Sequence, residues 1–236
     1  MPAEQHDFGT TAGRTAIARK AVSRPTRTLL SSGRIPKGAS VLNHGSGKAT
    51  ADAAALAAAA AEYAEYDPNH APDPAALERR YDIVVSNYVL NVLPPDIRNF
   101  AWEDIARTTG GVAYITVRST GDKAIYKGKK YKDGYKMATG SFQKPYTAAD
   151  LKKEAKRFFK NVEVIDGVQS GISWTISASD PKITGEGEPE TPNRQDKPST
   201  HNKALAQQKA AAMGSQDAAD EAEIDEIKHL AGMDKE

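Results

Sequence analysis

Asn43, His44, Gly45, Ser46 and Gly47, followed twenty residues later by Asp67 and Pro68, are residue types that build a ligand cradle. Glycines let backbone approach a ligand closely, and a carboxylate accepts hydrogen bonds from paired hydroxyls. Around them the sequence reads as strand (Ser40–Asn43), glycine turn, helix (Thr50 to about Ala61), short strand (Tyr63–Tyr66), acidic residue. Such a unit predicts a pocket for an adenosine-type ligand, with Asp67 on the ribose hydroxyls. Asn87 comes next, where the apolar strand Asp82–Ser86 breaks into the polar run Ser86–Asn91, at the sheet edge where ligands bind. Thr139–Thr147 then gathers hydroxyls, the Gln143 amide and the Tyr146 ring just before a helix. Asn87, Gln143 and Tyr146 are the candidates for positioning a substrate, and no residue stands out as a general base.

Each motif has a plainer reading. The glycine turn fits an ordinary strand-to-helix connection. It also fits a nicotinamide-cofactor site, though Thr50 stands where that fingerprint wants a third glycine or alanine. Asn87 fits a turn residue bonding its own backbone. Asp82, at the start of its strand, reads as locally structural. His44 and His70 flank the pocket without metal-ligand spacing, so no metal site is expected.

Around these residues the chain alternates strands and helices, which predicts a mostly parallel sheet. Ile97, Phe100, Trp102 and Ile105 mark the apolar face of a helix over 96–108, and Gly110-Gly111 is expected to end it before a strand over 112–118. Ser119 to Gly140 reads as a loop, Thr147 as the N-cap of a helix over 148–159, and 162–165 with 172–177 as an antiparallel strand pair. Residues 1–13 are expected to form a disordered leader, 14–180 the folded domain, 181–202 a disordered linker and 203–236 a partly helical acidic tail. The narrow apolar stripe of that tail offers a protein partner a docking face.

Composition narrows the function. The 236 residues carry a net charge of +1, unevenly spread. Seven basic residues and no acidic one lie between Arg14 and Lys37, and lysines dominate the 123–160 region. Arg19, Lys20, Arg24, Lys127, Lys129, Lys130 and Lys132 are therefore the candidate contacts to nucleic-acid phosphates, with interleaved tyrosines as stacking surfaces. A solvated lysine loop is the alternative. The chain has no cysteine. That excludes disulfides, thiolate metal sites and the cysteine nucleophile needed to methylate cytosine C5. No apolar run is long enough to span a membrane, and the expected location is cytoplasmic.

Together the glycine turn, Tyr66-Asp67-Pro68 and Ser86–Asn91 resemble a class I S-adenosylmethionine-dependent methyltransferase. With Arg14–Pro25 and Ser141–Lys144 in the same order, residues 14–178 resemble the methyltransferases associated with DNA phosphorothioation systems and their phage relatives. The resemblance implies a Rossmann-like α/β fold with an antiparallel final strand. It implies S-adenosylmethionine held by Asn43, His44, Gly45, Ser46, Gly47, Asp67, Pro68 and Asn87, and nucleic acid, DNA before RNA, as substrate. The chain departs from the family at Asn43, where a carboxylate is usual, and at Ala49, where glycine is. The Asp/Asn-Pro-Pro-aromatic motif of amine methylation is absent, since Asn87 is followed by Tyr88-Val89. A non-catalytic protein of the same fold and a small-molecule methyltransferase are the competing functions.

Overall fold

The computed structural model describes residues 8–165 and 171–182. Along the chain the strands are β1 (Ser40–His44), β2 (Glu62–Tyr66), β3 (Tyr81–Asn87), β4 (Thr109–Arg118), β5 (Lys129–Tyr131), β6 (Gly134–Lys136), β7 (Phe142–Gln143), β8 (Phe159–Val164) and β9 (Ser173–Pro181). The helices are α1 (Phe8–Gly13), α2 (Arg24–Ser31), α3 (Thr50–Ala59), α4 (Pro95–Thr108) and α5 (Ala148–Ala155).

Six strands form the main sheet in the order β2-β1-β3-β4-β9-β8. β2, β1, β3 and β4 run parallel, and β9, the last of the described strands, is antiparallel to β4 and β8. This is a Rossmann-like α/β fold. From β1 the chain crosses outward to β2, then returns past β1 to β3. The carboxyl ends of β1 and β3 therefore flank a topological switch point, where open α/β sheets bind ligands.

Both faces of the sheet are covered, as continuous apolar strands require. One core packs Leu42, Val84 and Ile115 against Trp102 and Ile105 of α4 and Leu151 of α5. The other packs Val41, Ile83, Val85 and Tyr114 against Leu29 of α2 and Leu56 of α3. The alanine run of α3 secures its helicity, while Leu56 supplies its fully buried contact. Ser23 caps α2 with Pro25 in the first turn, and Thr147 with Asp150 forms a capping box at α5.

Four expectations change. Residues 8–13, assigned to a disordered leader, form α1. Gly110 and Gly111 lie inside β4 rather than ending α4, because the β3 backbone passes too close for a side chain: a Cβ on Gly111 would meet Asp82 O at 2.5 Å. On α4, Phe100 is exposed and Arg98 is buried in its stead. The expected loop over 119–140 contains a 3-10 turn (Lys123–Lys127) and the β5–β6 hairpin, which β7 extends into a three-stranded antiparallel sheet. Gly134 permits that sheet, since a Cβ there would sit 2.5 Å from both Gln143 O and the Phe142 ring. Residues 1–7 of the expected leader and nearly all of the linker and tail lie outside the described residues. Among the described residues no helix is long and apolar enough to cross a membrane, and no acidic or histidine cluster is arranged to hold a metal ion.

Candidate functional site

The glycine turn leaves β1 at the switch point. Gly45 and Gly47 both adopt positive φ, 72° and 59°, which a side chain resists. The Gly45 and Ser46 amides donate to Tyr66 O at 2.6 and 3.3 Å, tying the turn to the end of β2. Asp67 then clamps it. Its Oδ2 accepts from Gly47 N at 3.0 Å, and its Oδ1 accepts from Asn69 N and His70 N at 2.9 and 3.0 Å. A carboxylate has about four acceptor positions, so these three bonds leave roughly one, on Oδ2. This corrects the reading of Asp67 as the receiver of both ribose hydroxyls. Its carboxylate, 8% exposed, is first a backbone clamp that shapes the turn. Pro68 follows on the exposed loop.

Chain N-terminal to α2 covers the turn. A Cβ placed on Gly47 would lie 3.2 Å from Ala16 Cβ, and one on Gly13 would clash with the Asn69 side chain. The His70 ring bonds Gly13 O at 2.9 Å.

Asn87, at the end of β3, faces the α2–α3 layer. Its Nδ2 donates to Thr26 Oγ1 at 3.0 Å. Thr26 Oγ1 donates to Asp52 Oδ2 at 3.0 Å and receives Ser23 Oγ at 3.1 Å. The other Asp52 oxygen accepts Ser23 N at 2.5 Å. Asn87 Oδ1 has no partner, nor has Ser46 Oγ in the turn. Tyr88, next in the chain, holds φ at 63°, a left-handed conformation that costs a non-glycine residue about 1–3 kcal/mol. Its amide donates to Thr116 O at 2.7 Å, and the Arg118 guanidinium lies 5.2 Å over its ring.

On the same face Asn43 donates to the Tyr63 hydroxyl at 3.3 Å, which donates to Glu65 at 3.1 Å. Burial pushes the Tyr63 phenol well up, so it stays protonated and keeps this direction. Glu65 lies in register with Asn43 across the β1–β2 pair. A carboxylate thus stands one strand over from Asn43, linked to it through the Tyr63 hydroxyl. Ser23, Thr26, Asp52 and Glu65 carry no motif of their own. The only sequence signal among them is the Asp52 carboxylate in the first turn of an alanine helix.

His44 alternates to the opposite face, with Leu42, and its ring sits 5.8 Å from that of Tyr66. It is separated from the Asn43–Asn87 face where the cofactor was expected to be held. Both ring nitrogens are buried and unpartnered. Burial holds its pKa below the ordinary 6.5, against the pull of Asp104 and Asp67. Below 6.5 the unfolded chain takes up a proton that the folded chain refuses, so stability is full above that value and falls beneath it. Thermal unfolding from about pH 7.5 to about pH 5.5 is expected to show this decline, and His44→Leu to flatten it. An equal slope in the variant would locate the titration elsewhere.

Gln143 lies in β7 against the 3-10 turn that follows Asn87, and its Oε1 accepts from Asn91 Nδ2 at 3.1 Å. Tyr146 is not at the site. It is fully buried and donates to Glu154 Oε2 at 2.9 Å, within a cluster of Arg98, Lys144, Asp133 and Glu154. Burial and the neighbouring Glu154 keep its phenol protonated, against the pull of Arg98. Its role is therefore packing and charge satisfaction, not substrate contact.

Arg19, Lys20 and Arg24 lie between α1 and the first turn of α2, and of these Lys20 and Arg24 are exposed. Lys127, at the end of the 3-10 turn, and Lys129 and Lys130, on β5 of the small sheet, are exposed. Lys130 lies 4.8 Å over the Tyr135 ring, and Tyr126 packs edge-on against Tyr135 at 5.3 Å, itself 41% exposed. Lys132, in the β5–β6 turn, is paired with Asp96, so its charge is already neutralised.

No family model matches the chain, and no curated protein matches it. Solved structures share the layout at low identity. A DhpI complex with SAH is 18% identical, covering 67% of this chain and 84% of that one, with a TM-score of 0.48. Magnesium protoporphyrin IX methyltransferase (ChlM) from Synechocystis PCC 6803 with bound SAH is 15% identical, covering 74% and 95%, with a TM-score of 0.46. The Burkholderia thailandensis 1,6-didemethyltoxoflavin-N1-methyltransferase, with its substrate and S-adenosylhomocysteine, is 14% identical, covering 73% and 82%, with a TM-score of 0.49.

Proposed function

We propose that this chain is an S-adenosylmethionine-dependent methyltransferase acting on nucleic acid, with DNA the favoured substrate. One observation carries the cofactor reading. At the switch point stands a positive-φ glycine turn clamped by Asp67, and Ser46 Oγ in that turn and Asn87 Oδ1 at the end of β3 are buried without partners. Buried polar atoms without partners are costly, and a polar ligand relieves that cost. The backbone of Gly45–Gly47, Ser46, the remaining Asp67 acceptor and Asn87 are the groups to hold the cofactor, with Glu65 and Tyr63 behind Asn43. When bound, the sulfonium supplies a methyl group that is already strongly electrophilic. The protein's part is then alignment, and Asn87 is its alignment residue.

The nucleic-acid reading draws on the exposed Lys127 and Tyr126 of the 3-10 turn and Lys129, Lys130 and Tyr135 of the small sheet, whose β7 packs against the turn following Asn87. Like the kinship with phosphorothioation-associated and phage methyltransferases, it rests on the sequence resemblance as well. Calorimetric titration with S-adenosylmethionine and S-adenosylhomocysteine tests the cofactor. Both are expected to bind the wild type, and neither the Asp67→Ala variant. Absence of binding to the wild type would overturn the enzyme reading. DNA binding that weakens steeply with salt, and more weakly depends on it in Lys129→Glu/Lys130→Glu, is expected in parallel. Cofactor binding without it would make the acceptor a small molecule.

A further inference from the structure

The three-stranded sheet carries a row of side chains across its width. Antiparallel partners directly opposite one another point to the same face. Lys130 on β5 stands opposite Tyr135 on β6, and Tyr135 opposite Gln143 on β7, so the three share a face. The row spans two strand spacings, about 10 Å. Its inner end is Gln143, tied to Asn91 in the turn that follows Asn87. Its outer end is the exposed Lys130. Tyr126 joins the row from the turn over Lys123–Lys127. Gly128 lets that turn close on β6, since a Cβ there would meet Lys136 O at 2.8 Å. The Tyr126 ring is then held by its edge contact with Tyr135 and by its hydroxyl, which donates to Thr120 O at 3.3 Å, yet it stays exposed. The charge around the row is of one sign. Lys123 Nζ lies 5.7 Å over the Tyr126 ring, Lys130 covers Tyr135, and Lys127 and Lys129 flank them. Among the described residues none of these four lysines pairs with a carboxylate, because Asp122 is taken by Arg118, and Asp133 by Arg98 and Lys144.

We infer that this row is a track for an unpaired DNA strand leading to the turn after Asn87, with Tyr126 stacking on one base and Lys123, Lys127, Lys129 and Lys130 meeting the flanking phosphates. The inference rests on the nucleic-acid reading above and narrows its substrate to single-stranded or locally opened DNA. Lysines by themselves serve a duplex and a single strand alike, because both present phosphates. An exposed ring does not. Inside a duplex each base face is covered by the neighbouring pair, so only a base outside the stack can lie on tyrosine. A ring already held by Tyr135 and Thr120 loses little freedom when a base settles on it, which favours binding.

Fluorescence anisotropy with the full chain tests this, using a labelled strand of about 20 nucleotides without self-complementarity and the same strand annealed to its complement. The single strand is expected to bind about tenfold tighter than the duplex at equal salt, the scale of one stacked base. Tyr126→Ala is expected to weaken single-strand binding about tenfold and duplex binding less than about twofold. Its salt dependence should match the wild type, because no cation is removed. Tyr126→Phe, which keeps the ring, is expected to hold single-strand affinity within about threefold of the wild type. Duplex binding that equals or exceeds single-strand binding in the wild type would overturn the inference while DNA binding stood. So would single-strand affinity that survives Tyr126→Ala, or a loss shared equally by both DNA forms. Binding of neither form at low salt would overturn the nucleic-acid reading, and this inference with it.

Discussion

Glu154→Ala is expected to cost about 3–5 kcal/mol of folding free energy. The Glu154 carboxylate is the hub of the cluster under α4 and α5. It bonds Lys144 Nζ at 2.6 Å, Arg98 Nε at 3.3 Å, the Tyr146 hydroxyl at 2.9 Å and Trp102 Nε1 at 3.3 Å. Arg98 is only 4% exposed and Lys144 11%. Removing the carboxylate leaves two buried cations sharing Asp133, and strands the polar atoms of Tyr146 and Trp102. The penalty comes from desolvated groups left unpaired, more than from attraction lost. Glu154→Gln, which keeps the shape and a carbonyl acceptor, is expected to cost less. Urea denaturation measures both. A loss under about 1 kcal/mol for the alanine variant, the level of an exposed ion pair, would mean that water reaches this cluster.

Gly45→Ala is expected to cost about 2–5 kcal/mol and to abolish cofactor binding. Two separable terms add. A left-handed backbone costs a residue with a Cβ about 1–2 kcal/mol. The new methyl would stand 2.1 Å from Val89 Cγ2, and overpacking of that kind costs about 1–3 kcal/mol. Val89 sits two residues after Asn87, so relief of the clash displaces the segment that carries the alignment amide. The double variant Gly45→Ala/Val89→Ala is expected to recover the packing term and keep the backbone term. The two substitutions should therefore couple favourably, unlike independent sites. Simple additivity would show that Val89 does not bear on the turn.

Much of this molecule was legible locally. The strand–turn–helix order around Gly45, the apolar run of β3, the Thr147 cap and the final antiparallel pair all follow from periodicity and turn chemistry, which neighbouring residues settle among themselves. So did the meeting of Gly47, Asp67 and Asn87 at one sheet edge, since parallel strands joined by helices bring their carboxyl ends together. What each side chain touches was decided elsewhere. The lysine-rich stretch over 129–136 pairs as strands because Gly134 admits the β7 backbone and the Phe142 ring, a contact made across the chain. Arg98 replaces Phe100 in the interior because Asp133 and Glu154 neutralise it from two other elements. Tyr146 turned from site to core for the same reason. Asp67 holds backbone amides rather than standing free for a ribose, and Asn87 owes its orientation to Thr26, 61 residues earlier. Residue types and order thus determined the fold and where its cleft lies. Partners distant in sequence determined which polar atoms remain unsatisfied there, because a hydrogen bond is committed only when both ends are brought within about 3 Å.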